Sequence, residues 1–191
     1  MAKIIKTKYF LRLLLRDLQK LMSRPEIFAI RGPRQSGKTT LLKMLKDWLI
    51  EEKNVSADKI VFITFEDREI LEQFSQDPKN YVKSFIGEKS QEKFYFFIDE
   101  FHYLKNGGQI LKLLYDVFDN IKFVVTGSSS LELTGKTAKF LVGRIFFFDL
   151  WQLTFEEYIA VRSQQLSNAY RQKTELLRQF VLSGKDFTFP K

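Results

Sequence analysis

Residues 32–39 read GPRQSGKT, a complete GxxxxGK[ST] spacing, and the residue types in it suit one task, gripping a chain of phosphates. Gly32 and Gly37 permit backbone angles that a side chain forbids, so successive N–H groups can turn toward one anion. A helix opening at Lys38 adds its positive N-terminal end to the same spot. Lys38 then reaches the β- and γ-phosphate oxygens as a point charge, and the Thr39 hydroxyl is placed to ligate Mg²⁺. The cradle read this way comprises Gly32, Pro33, Arg34, Gln35, Ser36, Gly37, Lys38, Thr39 and Thr40.

A second chemical cluster follows the apolar run FYFFI, which ends in Asp99-Glu100. An aspartate at the carboxyl end of a strand can hold Mg²⁺ through its water shell, and the glutamate beside it can take a proton from an attacking water or orient it. Glu100, with Lys38, is therefore a catalytic candidate, and Thr39 and Asp99 are the metal candidates. The run IKFVVT leads into TGSSS (126–130), where Ser128 or Ser129 is expected near the γ-phosphate, able to report its presence. Arg144, in LVGRIFFFDL, is a candidate arginine finger, a role worth about 10³- to 10⁵-fold in rate. Arg34 lies inside the loop and Arg31 just before it, so each is expected to contact phosphate or an acidic neighbour. His102 reads as a structural histidine.

These groups need a scaffold, and the hydrophobic pattern describes one. Strands are expected at Glu26–Arg31, Lys59–Thr64, Phe94–Ile98, Ile121–Thr126 and Ile145–Leu150, each rich in β-branched or aromatic residues. Helical spacing separates most of them. Leu11 to Met22 marks a first helix, Leu41 to Leu49 the helix after the loop, Ile110 to Phe118 another. Asp77-Pro78 reads as a cap and first helical position, with Gly87 closing that helix. Thr154 and Glu157 form a capping box, and Leu176, Leu177, Phe180 and Val181 mark a last helix. Strands alternating with helices predict an α/β fold with a parallel five-stranded sheet. The 20 Phe residues lie mostly in strands or on helix faces and read as core.

Composition narrows the chemistry further. With no cysteine there is neither a disulfide nor a thiolate metal site, and one histidine argues against a His-rich centre. The 31 Lys and Arg against 23 Asp and Glu give a formal charge of +8, which permits an anionic partner such as nucleic acid. The basic residues are spread along the chain. Arg12 and Arg16 interrupt the apolar N-terminal stretch, which argues for an amphipathic helix rather than a secretory signal, and no segment reads as membrane-spanning. A cytoplasmic protein is expected.

Taken in order, GPRQSGKTTLL, VFITFEDRE, FFIDEFHYL, VVTGSSSLEL and GRIFFFDLWQLTFEEY resemble the prokaryotic AAA ATPase family, in which the phrasing is GPRxxGKTT, DEIQ, TGSSS and LxGRxxxxxLxPLSFxEY. The resemblance runs from the first helix to about residue 160. It implies a P-loop domain with strand order 5-1-4-3-2, and it assigns Lys38 and Thr39 to nucleotide and metal, Asp99 to magnesium and Glu100 to hydrolysis. Phe101-His102 replaces the usual Ile-Gln, and Trp151-Gln152 stands where proline is common. Family members usually continue into a nuclease-like domain, and this chain stops near where that domain would begin. The expected layout is an ATPase domain over 1–153, including the N-terminal helix, and a C-terminal helical segment over 154–191.

The reading that follows is a Mg²⁺-dependent ATPase whose cycle acts as a conformational switch on a protein or nucleic-acid partner. A P-loop kinase passing the γ-phosphate to a small molecule is one alternative, and a nucleic-acid-binding module in which ATP is structural or regulatory is another. No NKxD motif is present, which disfavours GTP.

Overall fold

The computed structural model describes residues 9–86, 92–128 and 141–183. They form two compact units, one spanning Leu14–Gln152 and the other the described parts of Met1–Leu13 and Leu153–Lys191.

The larger unit is a three-layer α/β domain. After α1 (Leu13–Leu21), the chain runs through β1 (Ile27–Arg31), α2 (Lys38–Glu51), β2 (Ile60–Thr64), α3 (Arg68–Gln76), α4 (Pro78–Ile86), β3 (Phe94–Asp99), α5 (Gly107–Val117), β4 (Ile121–Gly127) and β5 (Ile145–Asp149). The sheet order is β2-β3-β4-β1-β5, and every pair is parallel, which is the expected 5-1-4-3-2 arrangement. All five expected strands form, with ends within one residue of the expected limits. β4 is central and buried at every position, as a strand covered by helices on both faces must be. β5 is an edge strand and half exposed. Phe28, Phe65, Phe74, Phe96, Phe97, Phe101 and Phe123 are fully buried, so packing accounts for them.

Helix α3 was not anticipated from the sequence. Only Ile70, Leu71 and Phe74 among its nine residues are apolar, so its periodic signal is thin, but they pack on the core while Asp67 caps the helix by accepting from the Glu69 and Ile70 amides. Asp77 caps α4 as expected, accepting from the Asn80 amide at 3.1 Å, whereas Gly87 lies outside the described residues.

Lys122 occupies a position that the apolar run does not announce. Its side chain is buried in β4, donates to the Arg24 carbonyl at 3.0 Å and to the Glu26 carbonyl, and lies over the Phe28 ring. Burial pushes its amine down to about 7 from the ordinary 10.5, with the Lys93 charge adding to the shift and Glu26 opposing it. Between those two values the unfolded chain binds more protons than the folded one, so stability rises with pH across that window. The wild-type chain is therefore expected to gain on the order of a few kcal/mol relative to Lys122→Met between pH 7 and about pH 9.5, read from urea midpoints. Parallel midpoint shifts in the two proteins would remove Lys122 as the source.

The smaller unit pairs α6 (Phe155–Arg162) with α7 (Gln164–Ser183). The Thr154 hydroxyl accepts from the Glu157 amide at 3.2 Å and Glu157 accepts in return from the Thr154 amide at 2.8 Å, the capping box that the sequence predicted. Glu157 is also the acceptor for Arg12 Nε at 3.2 Å and the Leu13 amide at 2.7 Å. Burial alone would raise its pKa, but the Thr154 and Leu13 amides and the Arg12 charge outweigh burial and hold the carboxyl below its ordinary value.

Candidate phosphate-binding site

β1 ends at Arg31 and the chain enters the loop at Gly32. A Cβ at Gly32 would lie 2.1 Å from the Leu150 carbonyl oxygen, so the residue is glycine for want of space. The expectation that Gly32 supplies unusual backbone angles is thereby corrected. Left-handed backbone occurs instead at Gln35 (φ 63°) and Gly37 (φ 92°). Such alternation turns neighbouring amides toward one side, the geometry of an anion nest. α2 then opens at Lys38 with no side-chain cap, so its first amides keep their capacity to donate.

The sheet order explains how the two motifs meet. β4 lies between β1 and β3, so the loop after β1 and the acids ending β3 are two strand spacings apart, about 10 Å. The first turn of α2 spans that gap. The Thr39 hydroxyl donates to Asp99 Oδ2 at 2.6 Å, and Lys38 Nζ lies 3.9 Å from Glu100 Oε1 while donating to the Gly32 and Pro33 carbonyls, both at 3.1 Å. Lys38 and Asp99 are buried, and the Glu100 side chain is 18% exposed, which leaves it reachable.

A residue that sequence reasoning passed over sits between them. Thr126, fully buried at the end of β4, donates its hydroxyl to Asp99 Oδ1 and accepts from the Glu100 amide at 3.1 Å. The parallel register places it there, since Ile98 pairs with Val125 and the next position sets Asp99 against Thr126. Glu100 itself takes a left-handed conformation, φ 52° and ψ 41°, uncommon for a residue with a side chain. Its Oε2 lies 3.0 Å from His102 Nδ1.

Other candidates fall elsewhere. Ser36 is buried, Pro33 and Thr40 are half-buried, and Arg34 and Gln35 are exposed on the loop. Ser128 is half-buried just past the end of β4, and Ser129 lies outside the described residues. Arg31 takes the acidic-neighbour option: its Nε and Nη2 donate to the two Asp149 oxygens at 3.0 Å each, across the β1–β5 register. Arg144 is not brought to the loop. It precedes β5 at the amino end of the sheet, where its carbonyl accepts from Ile27 and its Nε pairs with Asp116 at 3.0 Å. The loop adjoins the carboxyl end, a strand length of about 17 Å away, so Arg144 cannot serve as a finger for its own loop.

Thr39 and Asp99 offer only oxygen donors, 2.6 Å apart, which fits a hard cation such as Mg²⁺ that keeps much of its water. No group of three or more His, Cys, Asp or Glu that could hold a metal occurs among the described residues.

A parallel sheet in this order, with a glycine-lysine loop between β1 and α2 and an acid pair at the tip of β3, defines a P-loop NTPase fold. Residues 24–159 match the family model described as AAA domain, and the chain belongs to that family. An uncharacterized protein of Haemophilus influenzae is 33% identical over 140 residues, covering 72% of this chain and 34% of that protein. An uncharacterized protein of Methanocaldococcus jannaschii is 27% identical over 174 residues, covering 88% of this chain and 37% of its own length. The chain thus spans about a third of the length of these relatives. Among solved structures, a DNA polymerase III gamma subunit-related protein of Thermotoga maritima shares the fold, with a TM-score of 0.50 at 13% identity over 74% of this chain and 47% of that one. No helix among the described residues is long and apolar enough to cross a membrane.

Proposed function

We propose that this domain binds ATP with Mg²⁺ and hydrolyses it to ADP and phosphate. The observation that carries the reading is the joining of loop and acid pair through the Thr39–Asp99 bond, with Lys38 Nζ 3.9 Å from Glu100. Lys38 exchanges its two carbonyl partners for β- and γ-phosphate oxygens, and the loop amides bind the same group. Thr39 and Asp99 hold the magnesium, whose charge offsets that of the phosphates. Glu100 accepts the proton of a water whose oxygen forms the new bond to the γ-phosphorus as the bond to the β–γ bridging oxygen breaks.

Cycling between triphosphate and diphosphate then serves as a switch on a protein or nucleic-acid partner, and the +8 charge supports an anionic one. A cysteine-free chain suits the cytoplasm as its compartment. The test is release of inorganic phosphate from ATP with Mg²⁺ and no added acceptor. Steady release is expected, and it should stop on chelation. Transfer seen only with an added hydroxyl acceptor would replace hydrolysis by a kinase reaction, and no detectable ATP binding would end the proposal.

A further inference from the structure

The hydrolytic role of Glu100 depends on where its carboxylate is held, and Lys38 is a competitor for it. Lys38 Nζ stands 3.9 Å from Oε1, at the outer limit of an ion pair, and free rotation of the side chain would tighten that pair, removing the base from the water and the cation from the phosphates. Three features oppose this. Thr126 fixes the Glu100 amide, and the left-handed backbone that follows feeds a short 3₁₀ turn, Phe101–Tyr103, in which the Tyr103 amide donates to the Glu100 carbonyl at 3.2 Å. Phe101 anchors that turn in the core, packed on Phe65 at 5.8 Å and against Gly107, where a Cβ would come within 2.6 Å of its ring. The anchored turn carries His102 back over the carboxylate of Glu100.

There, His102 Nδ1 lies 3.0 Å from Glu100 Oε2, and the tilted Tyr103 ring flanks the imidazole with centroids 4.3 Å apart. The buried Nδ1 makes no hydrogen bond of good geometry, so a small rotation of the carboxylate toward it satisfies a costly buried group. Resting on the hydrolase reading above, we propose that His102 is the positioning residue for Glu100: it holds Oε2, keeps the carboxylate off Lys38 and leaves Oε1 for the water. A histidine read from the sequence as structural thereby becomes part of the hydrolytic apparatus.

The experiment measures ATP affinity and turnover separately for the wild type, His102→Ala, His102→Asn, His102→Gln, Glu100→Gln and the double variant Glu100→Gln/His102→Ala. Loss of a group that orients a site residue typically costs about 10- to 100-fold, and that fall in kcat is expected for His102→Ala with ATP affinity within about twofold. Asn places an amide donor where Nδ1 stands and should restore most of the rate, whereas Gln places it at Nε2 and should not. In the Glu100→Gln background, His102→Ala should add less than about twofold, because the two act as one unit. Wild-type kcat in His102→Ala, equal rates for Asn and Gln, or an undiminished loss in the Glu100→Gln background would each overturn the assignment. The Asn and Gln pair carries the test should the Ala variant not fold. A wild-type chain that releases no phosphate overturns the hydrolase reading and this one with it, while an active wild type and inactive Glu100→Gln with unaffected His102 variants overturn His102 alone.

Discussion

Glu100→Gln is expected to bind ATP as tightly as the wild type while its turnover falls by about 10²- to 10⁴-fold, the range that a placed general base contributes. The amide keeps the size of the side chain and its place at the tip of β3, so the Thr126 bond to the backbone amide survives. What disappears is the capacity to accept a proton. Because Lys38 faces Oε1, removing the negative charge also removes its rival for that lysine, so affinity for ATP should hold or rise slightly. Stopped turnover with retained ATP is the pattern to look for by calorimetry and phosphate release. Turnover within threefold of wild type would assign the base elsewhere.

The second large effect is expected at Lys38. Truncating a buried cation that holds phosphate typically costs about 2–5 kcal/mol, which is roughly 30- to 4,000-fold in affinity. Lys38→Ala should therefore bind ATP weakly or not at all. It also strips the Gly32 and Pro33 carbonyls of their donor, so folding must be checked in the same samples. Thermal melts do both: ATP in excess should raise the wild-type midpoint by mass action and leave the variant midpoint where it is. An unchanged ATP affinity in Lys38→Ala would remove the loop from phosphate binding altogether.

Both tests address residues that the sequence identified, and the reason is local. The loop and the acid pair are contiguous motifs, and each strand around them is a run of β-branched or aromatic residues too dense to read otherwise. Long-range geometry was less visible. Thr126 matters because β4 runs parallel beside β3 in one particular register, which no single segment encodes. Lys122 interrupts an apolar run, and a central strand covered on both faces has no solvent-facing side to receive it. Arg144 precedes a strand, and in a parallel sheet that fixes it at the end away from the loop, a consequence drawn only once the strand is paired. Gly32 is confined by the Leu150 carbonyl, which arrives from a segment more than a hundred residues later, so the spatial reason for a glycine there is invisible in the loop itself.

The lysine ammonium, the threonine hydroxyl and the aspartate at the strand tip are all bonded to the protein itself. Under the proposed ATP binding, these three groups would exchange partners rather than gain them, while the uncapped amides that open α2 would add contacts of their own. Departure of the product strands no buried charge, because the former holders stand ready to take it back. On the hydrolase proposal, a site wired in this fashion would favour repeated cycles over tight retention.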